Sequence, residues 1–149
     1  MLDMKKKYDY IVSACLAGLA TRFDGTSCRK RKVAELVKKG KALPVCPEVL
    51  GGLSVPRPEA QINLGKGKDV LDGKARVINE KGEDVTQFFL KGAYRFLEIT
   101  KSCHISKAIM KDKSPSCGCG RIHSGNRTIQ GDGVTTSLLK REGINIFRL

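Results

Sequence analysis

The stretch Tyr10-Ile11-Val12-Ser13-Ala14-Cys15 (YIVSAC) decides the fold of this chain, because a short apolar run ends there directly at a cysteine. Residues 10–14 predict a strand. Similar short runs recur along the chain between amphipathic stretches, an alternation that is typical of a parallel sheet flanked by helices. We therefore expect an α/β fold with a small, mainly parallel sheet of about four strands.

The spacing of apolar residues predicts the other strands and helices of the chain. The predicted strands cover residues 10–14, 42–45, 105–110 and 145–147, and the predicted helices cover 30–39, 85–102 and 135–142. The connection over residues 51–84 is rich in glycine, proline and charge, and a connection of that length is unusual within a compact domain. We expect it to be irregular and to cover part of the functional site.

Length and charge limit the protein class. The 149 residues suit one domain over 1–149, and a formal net charge of +13 favours anionic partners such as nucleotides or RNA. No apolar run approaches the roughly 20 residues of a membrane-spanning helix, so no membrane partner is expected. The N-terminus lacks the apolar core of a signal peptide, which predicts a cytoplasmic protein.

Six cysteines in a reducing cytosol indicate metal binding or catalysis rather than disulfides. Cys15 and Cys46 each directly follow a predicted strand, and Cys117 lies in the turn after the third. Because the carboxyl ends of parallel strands meet at one edge of the sheet, where such sheets bind ligands, the three thiols are expected to lie together. Glycine or proline beside each cysteine permits tight turns and close backbone approach to a cofactor.

Three thiols without a nearby histidine indicate a soft metal site. One interpretation is a [4Fe–4S] cluster held by three cysteines with one iron open; a zinc site with Cys119 or Cys28 as fourth ligand stays open as well. Glu48 places a carboxylate two residues after Cys46, where it could move protons. Ser114, close to Cys117, could donate a hydrogen bond to a ligand or to a cluster sulfur.

The motifs around these cysteines resemble a known family, the thiouracil desulfidases. The resemblance is carried by CLAG followed by RFDG (residues 15–25), CPEVLGGLSVPRPEAQI (46–62), KSPSCGCG (113–120) and GDGVTTSLLKREGI (131–144). It covers nearly the whole chain. Two positions depart from the usual pattern: Ala17 stands where the family has a larger apolar residue, and Cys119 adds a further thiol beside the third motif.

The resemblance implies a single, three-layer Rossmann-like domain that binds a [4Fe–4S] cluster through Cys15, Cys46 and Cys117. It also implies removal of sulfur from a thiolated uracil, such as 2- or 4-thiouracil or the thiouridine nucleotide, with release of sulfide and the oxo-pyrimidine. In that scheme Glu48 handles protons and Ser114 positions the substrate. Cys119 is the weak point of this scheme, because a fourth ligand on the open iron would block it.

Two alternatives remain at this point. The chain could be an RNA- or nucleotide-binding protein with a structural metal site, or a sulfur carrier that forms a persulfide on Cys119 or Cys117. The positive charge favours a phosphorylated substrate, including a tRNA-derived nucleotide, over the free base.

Overall fold

The computed structural model describes residues 7–124 and 127–149. The described strands are β1 (Tyr10–Ser13), β2 (Ala42–Val45), β3 (Ala60–Asn63), β4 (Arg76–Asn79), β5 (Lys107–Met110), β6 (Arg121–Ser124), β7 (Arg127–Gln130) and β8 (Asn145–Arg148). The described helices are α1 (Arg31–Lys38), α2 (Pro47–Leu50), α3 (Gly67–Leu71), α4 (Thr86–Ser102) and α5 (Val134–Arg141), and a single 3₁₀ turn spans Ala14–Ala17.

A four-stranded parallel sheet in the order β2-β1-β5-β8 forms the centre of the molecule. Successive side chains of a strand point to opposite faces, and β1 shows the consequence: Ile11 belongs to the larger apolar cluster and Val12 to the smaller one. Helices α4 and α5 contribute to the larger cluster, and Val33 of α1 belongs to the smaller. The predicted α/β architecture is confirmed, with three layers: α1, the sheet, and α4 with α5.

The predicted strands and helices are present, with bounds that shift by one or two residues at most ends. Ala14 was predicted as strand but begins the 3₁₀ turn, and β5 begins at Lys107 rather than at residue 105. The prediction of an irregular connection over 51–84 is wrong in part. It contains the antiparallel pair β3–β4 with α3 between them, elements of four or five residues that are too short to show a hydrophobic period.

Helix α2 is held against α4 by a close approach of backbones. A Cβ atom placed on Gly92 would lie 2.0 Å from the carbonyl oxygen of Pro47, so only glycine fits at this crossing. This contact fixes the start of α2, which directly follows Cys46.

The described helices are either too short or too polar to cross a bilayer.

Candidate functional site

A cavity of about 190 Å³ opens at the carboxyl edge of the sheet, beyond β1, β2 and β5. Its lining includes all five residues that the sequence singled out: Cys15, Cys46, Glu48, Ser114 and Cys117. The three strands are neighbours in the sheet, so their carboxyl ends bring the motifs together. The three cysteines therefore converge on one cavity, as expected.

Cys15 sits on the 3₁₀ turn that follows β1 and is buried. Burial raises the pKa of its thiol to about 12, and the neighbouring thiol of Cys28 adds to the rise, whereas the positive charge of Lys111 opposes it. The backbone N–H of Cys28 donates to the Cys15 carbonyl oxygen over 3.0 Å. Cys15 is thus a protonated thiol until a metal or another strong partner takes the proton's place.

Cys46 directly precedes α2, whose first residue is Pro47, a residue well suited to a helix start. Its thiol lies 3.8 Å from the carbonyl oxygen of Thr21 and donates to it. Burial raises the pKa of the Cys46 thiol and Glu48 raises it further, while the backbone N–H of Val49 lowers it. The backbone N–H dipoles at the start of α2 therefore help to orient the Cys46 sulfur.

Cys117 is the most deeply enclosed of the three. Its backbone N–H donates to the Ser114 Oγ atom over 2.6 Å, and the Thr136 hydroxyl donates to its carbonyl oxygen over 2.8 Å. Burial raises the pKa of its thiol well above the usual value, Glu48 adds to the rise, and a hydrogen bond with the Ser13 side chain lowers it. Ser114 therefore helps to hold the loop of Cys117, which is a structural task in addition to the predicted one.

An ion pair with Arg57 fixes the side chain of Glu48 in the cavity wall. The Arg57 Nη2 atom lies 3.0 Å from Glu48 Oε2, and the two side chains are only 6% and 14% exposed. Arg57 also donates to the carbonyl oxygens of Thr21 over 3.0 Å and Ser54 over 3.2 Å. Three hydrogen bonds of the guanidinium thus fix the carboxylate beside the thiols.

Sequence reasoning did not assign a role to Arg57 or to Lys111, although both line the cavity. Arg57 lies inside the second quoted motif, and an arginine between two prolines was the available signal. Residues 53, 57–60 and 79 of the connection over 51–84 also line the cavity, so part of that stretch covers the site as expected.

The other three cysteines stand apart from the cavity lining. Cys119 is half-buried near charged residues and does not line the cavity. Burial raises the pKa of its thiol, whereas Lys140 lowers it and Asp132 raises it. Cys28 packs against the smaller apolar cluster, and Cys103 is buried at the end of α4. The concern that Cys119 caps the site finds no support in this placement.

The cavity lining includes three thiols that could serve as metal ligands. Within residues 7–124 and 127–149, no three His, Cys, Asp or Glu side chains converge closely enough to hold a single metal ion. A cube of four irons is wider than a single ion, and each thiolate binds a different iron on its outside. The thiols of such a site therefore lie farther apart than the ligands of a single ion. His123 also lines the cavity, so the expectation that no histidine lies near the thiols is wrong. Three free thiols that line one cavity still fit such a cube by their chemistry.

Comparison with known proteins agrees with the fold and the motifs. A family model described as 2-thiouracil desulfurase matches residues 10–148. The solved structure of the [4Fe–4S]-dependent thiouracil desulfidase TudS is similar with a TM-score of 0.83 and 41% identity, covering 95% of this chain and 91% of that one. The uncharacterized protein YbbK of Bacillus subtilis (strain 168) is 42% identical over 140 residues, which cover 92% of this chain and 93% of YbbK. The chain belongs to the 2-thiouracil desulfurase family.

Proposed function

We propose that this protein is a [4Fe–4S]-dependent thiouracil desulfidase, which replaces the sulfur of a thiolated uracil by oxygen from water and releases sulfide. The observation that carries the proposal is one cavity whose lining brings together three thiols, a carboxylate and a serine. Family membership and the similarity to TudS support the same activity. None of these observations favours a structural metal in an RNA-binding protein, or a persulfide carrier.

Cys15, Cys46 and Cys117 would hold the cluster, which leaves one iron open. When bound, the cluster supplies a Lewis-acidic iron that suits the soft sulfur of a thiocarbonyl. The chain itself places the three sulfurs on three separate elements. These are the 3₁₀ turn after β1, the start of α2, and the loop in which Ser114 accepts a hydrogen bond from the backbone of Cys117. Cys119 lies outside the cavity lining, which supports a site with three rather than four cysteine ligands.

Glu48 is proposed to take a proton from the attacking water. Arg57 occupies its Oε2 atom, while Oε1 has no hydrogen-bond partner among the described residues. That free oxygen is the one available to accept the proton. The hydroxyl hydrogen of Ser114 remains available to donate to the pyrimidine, because its oxygen serves as the acceptor for the N–H of Cys117.

The proposed substrate is a thiolated pyrimidine base or its nucleotide, including one released from tRNA. Arg22 and Lys111 line the cavity, and the chain carries a net charge of +13. Such positive charge attracts a phosphorylated substrate. The single domain over residues 1–149 and the cytoplasmic location are further parts of this proposal.

Anaerobic reconstitution with iron and sulfide tests the function. The protein is expected to bind about four irons per chain, as a cube requires, and to release sulfide from 2-thiouracil or thio-UMP with formation of the oxo-pyrimidine. Alanine at Cys15, Cys46 or Cys117 is expected to abolish both iron binding and sulfide release.

The matched control is Cys119→Ser, which removes a half-buried thiol next in sequence to the site but outside its lining. It is expected to keep the iron content and the activity of the wild type. Retention of iron by all three alanine variants would overturn the ligand assignment, and a protein that binds iron but leaves every thiopyrimidine intact would overturn the activity.

A further inference from the structure

Lys111 lies at the carboxyl edge of the sheet, directly after β5, and lines the cavity of the three thiols. Its backbone N–H donates to the Ser13 Oγ atom over 3.0 Å, which ties the end of β5 to the end of β1. Its Nζ atom donates to the carbonyl oxygen of Asp112 over 3.0 Å. The ammonium group is therefore held in place, half-buried, by a neutral partner.

Lys111 keeps its full charge available to the cavity. Within the described ranges Lys111 takes part in no ion pair. The two other half-buried or buried arginines of the wall have partners: Arg57 is paired with Glu48, and Arg22 lies over the ring of Phe23 and donates to the Thr26 hydroxyl. Lys111 and the three thiols line the same cavity. A lysine without an acidic partner among the described residues thus lies in the wall of a cavity where negative charge would collect when a metal is bound.

The charges of the loaded cavity explain why such a lysine is needed. Three thiolates that lose contact with water carry a large desolvation penalty, and Glu48 adds a fourth negative group beside them. Arg57 is paired with Glu48. A further cation in the wall would offset part of the excess negative charge of the thiolates and the cluster.

We propose that Lys111 is a positioning residue whose positive charge offsets the negative charge of the three cluster-binding thiolates, Cys15, Cys46 and Cys117. It acts on the bound cluster through its charge and does not touch the reacting atoms. The inference rests on the proposed function, because it requires a cluster at these cysteines. Its physical consequence is that loss of the charge makes the cluster harder to reduce and easier to lose.

The test compares three variants after identical anaerobic reconstitution: Lys111→Gln, Lys111→Arg and Lys107→Gln. Lys107 begins the same strand at its opposite end, is exposed, and lies 5.5 Å from the ring of Tyr10, so its variant removes one charge far from the cavity. The readouts are iron per chain, the rate of iron loss to a chelator, and the midpoint potential of the cluster from a reductive titration followed by electron paramagnetic resonance.

Lys111→Gln is expected to lose iron faster than the wild type and to shift the midpoint potential to a more negative value. Lys111→Arg, which keeps the charge, and Lys107→Gln are expected to match the wild type in both readouts. Equal potentials for Lys111→Gln and Lys107→Gln in iron-loaded proteins would overturn the inference while leaving the proposed function intact. A wild type that binds no iron would overturn the proposed function and this inference with it.

Discussion

Replacing Arg57 with methionine removes the guanidinium that holds Glu48 and leaves a side chain of similar length. The change breaks a 3.0 Å ion pair between side chains that are 6% and 14% exposed, together with the hydrogen bonds to Thr21 and Ser54. Glu48 then remains in the cavity wall without a counter-ion. Because an unpaired buried charge is poorly solvated, breaking such a pair typically costs about 3–5 kcal/mol.

The chain contains a matched control in the Arg76–Asp84 ion pair. Its 2.8 Å distance is similar, but the two side chains are 49% and 43% exposed, so water solvates whichever charge is left behind. Exposed pairs contribute at most about 1 kcal/mol. Arg76→Met is therefore expected to lower the free energy of unfolding far less than Arg57→Met does.

Urea unfolding followed by circular dichroism, under anaerobic conditions and at equal iron content, measures the difference. With a slope of about 2 kcal/mol per molar urea, a loss of about 4 kcal/mol lowers the midpoint by roughly 2 M. The double variant Glu48→Gln with Arg57→Met is expected to recover part of this loss, since it no longer contains the unpaired charge. Equal, small midpoint shifts for the two arginine variants would refute the reasoning from burial.

Three further predictions concern other parts of the site and the fold. Gly92→Ala places a Cβ atom 2.0 Å from the Pro47 carbonyl oxygen and is expected to destabilise the protein by about 1–3 kcal/mol in thermal unfolding; unchanged stability would show that α2 shifts freely. Glu48→Gln is expected to retain iron while turnover in a sulfide-release assay falls by about 10²–10⁴, and full activity would remove Glu48 from proton transfer. A hydrogen bond from the Thr86 side chain and the Arg76 guanidinium lower the pKa of Asp84 to about 2. Its stabilising contribution is therefore complete above about pH 4 and is lost between pH 4 and pH 2. The difference in free energy of unfolding between the wild type and Asp84→Asn is expected to disappear over that pH range in acid unfolding. A difference that stays constant would contradict the assigned pKa.

The sequence by itself determined the architecture and the place of the site. Short apolar runs that alternate with amphipathic stretches are local signals, and they located the four strands of the sheet within a few residues. The rule that parallel strands end at one edge then brought Cys15, Cys46 and Cys117 together before any distance was known. The quoted motifs supplied the family, which the comparison confirmed; the ligand set stays a prediction.

Only the tertiary structure shows which other side chains line the candidate site. No local pattern indicates that Arg57 binds Glu48 and the Thr21 carbonyl oxygen, or that Lys111 lies in the same cavity wall with no ion-pair partner among the described residues. The tertiary structure also places Cys119 outside the cavity lining, although Cys119 lies only two residues from Cys117 in the sequence. The physical reason is that periodicity reports which face of an element is buried, whereas a hydrogen bond between residues far apart in the chain depends on how complete elements pack.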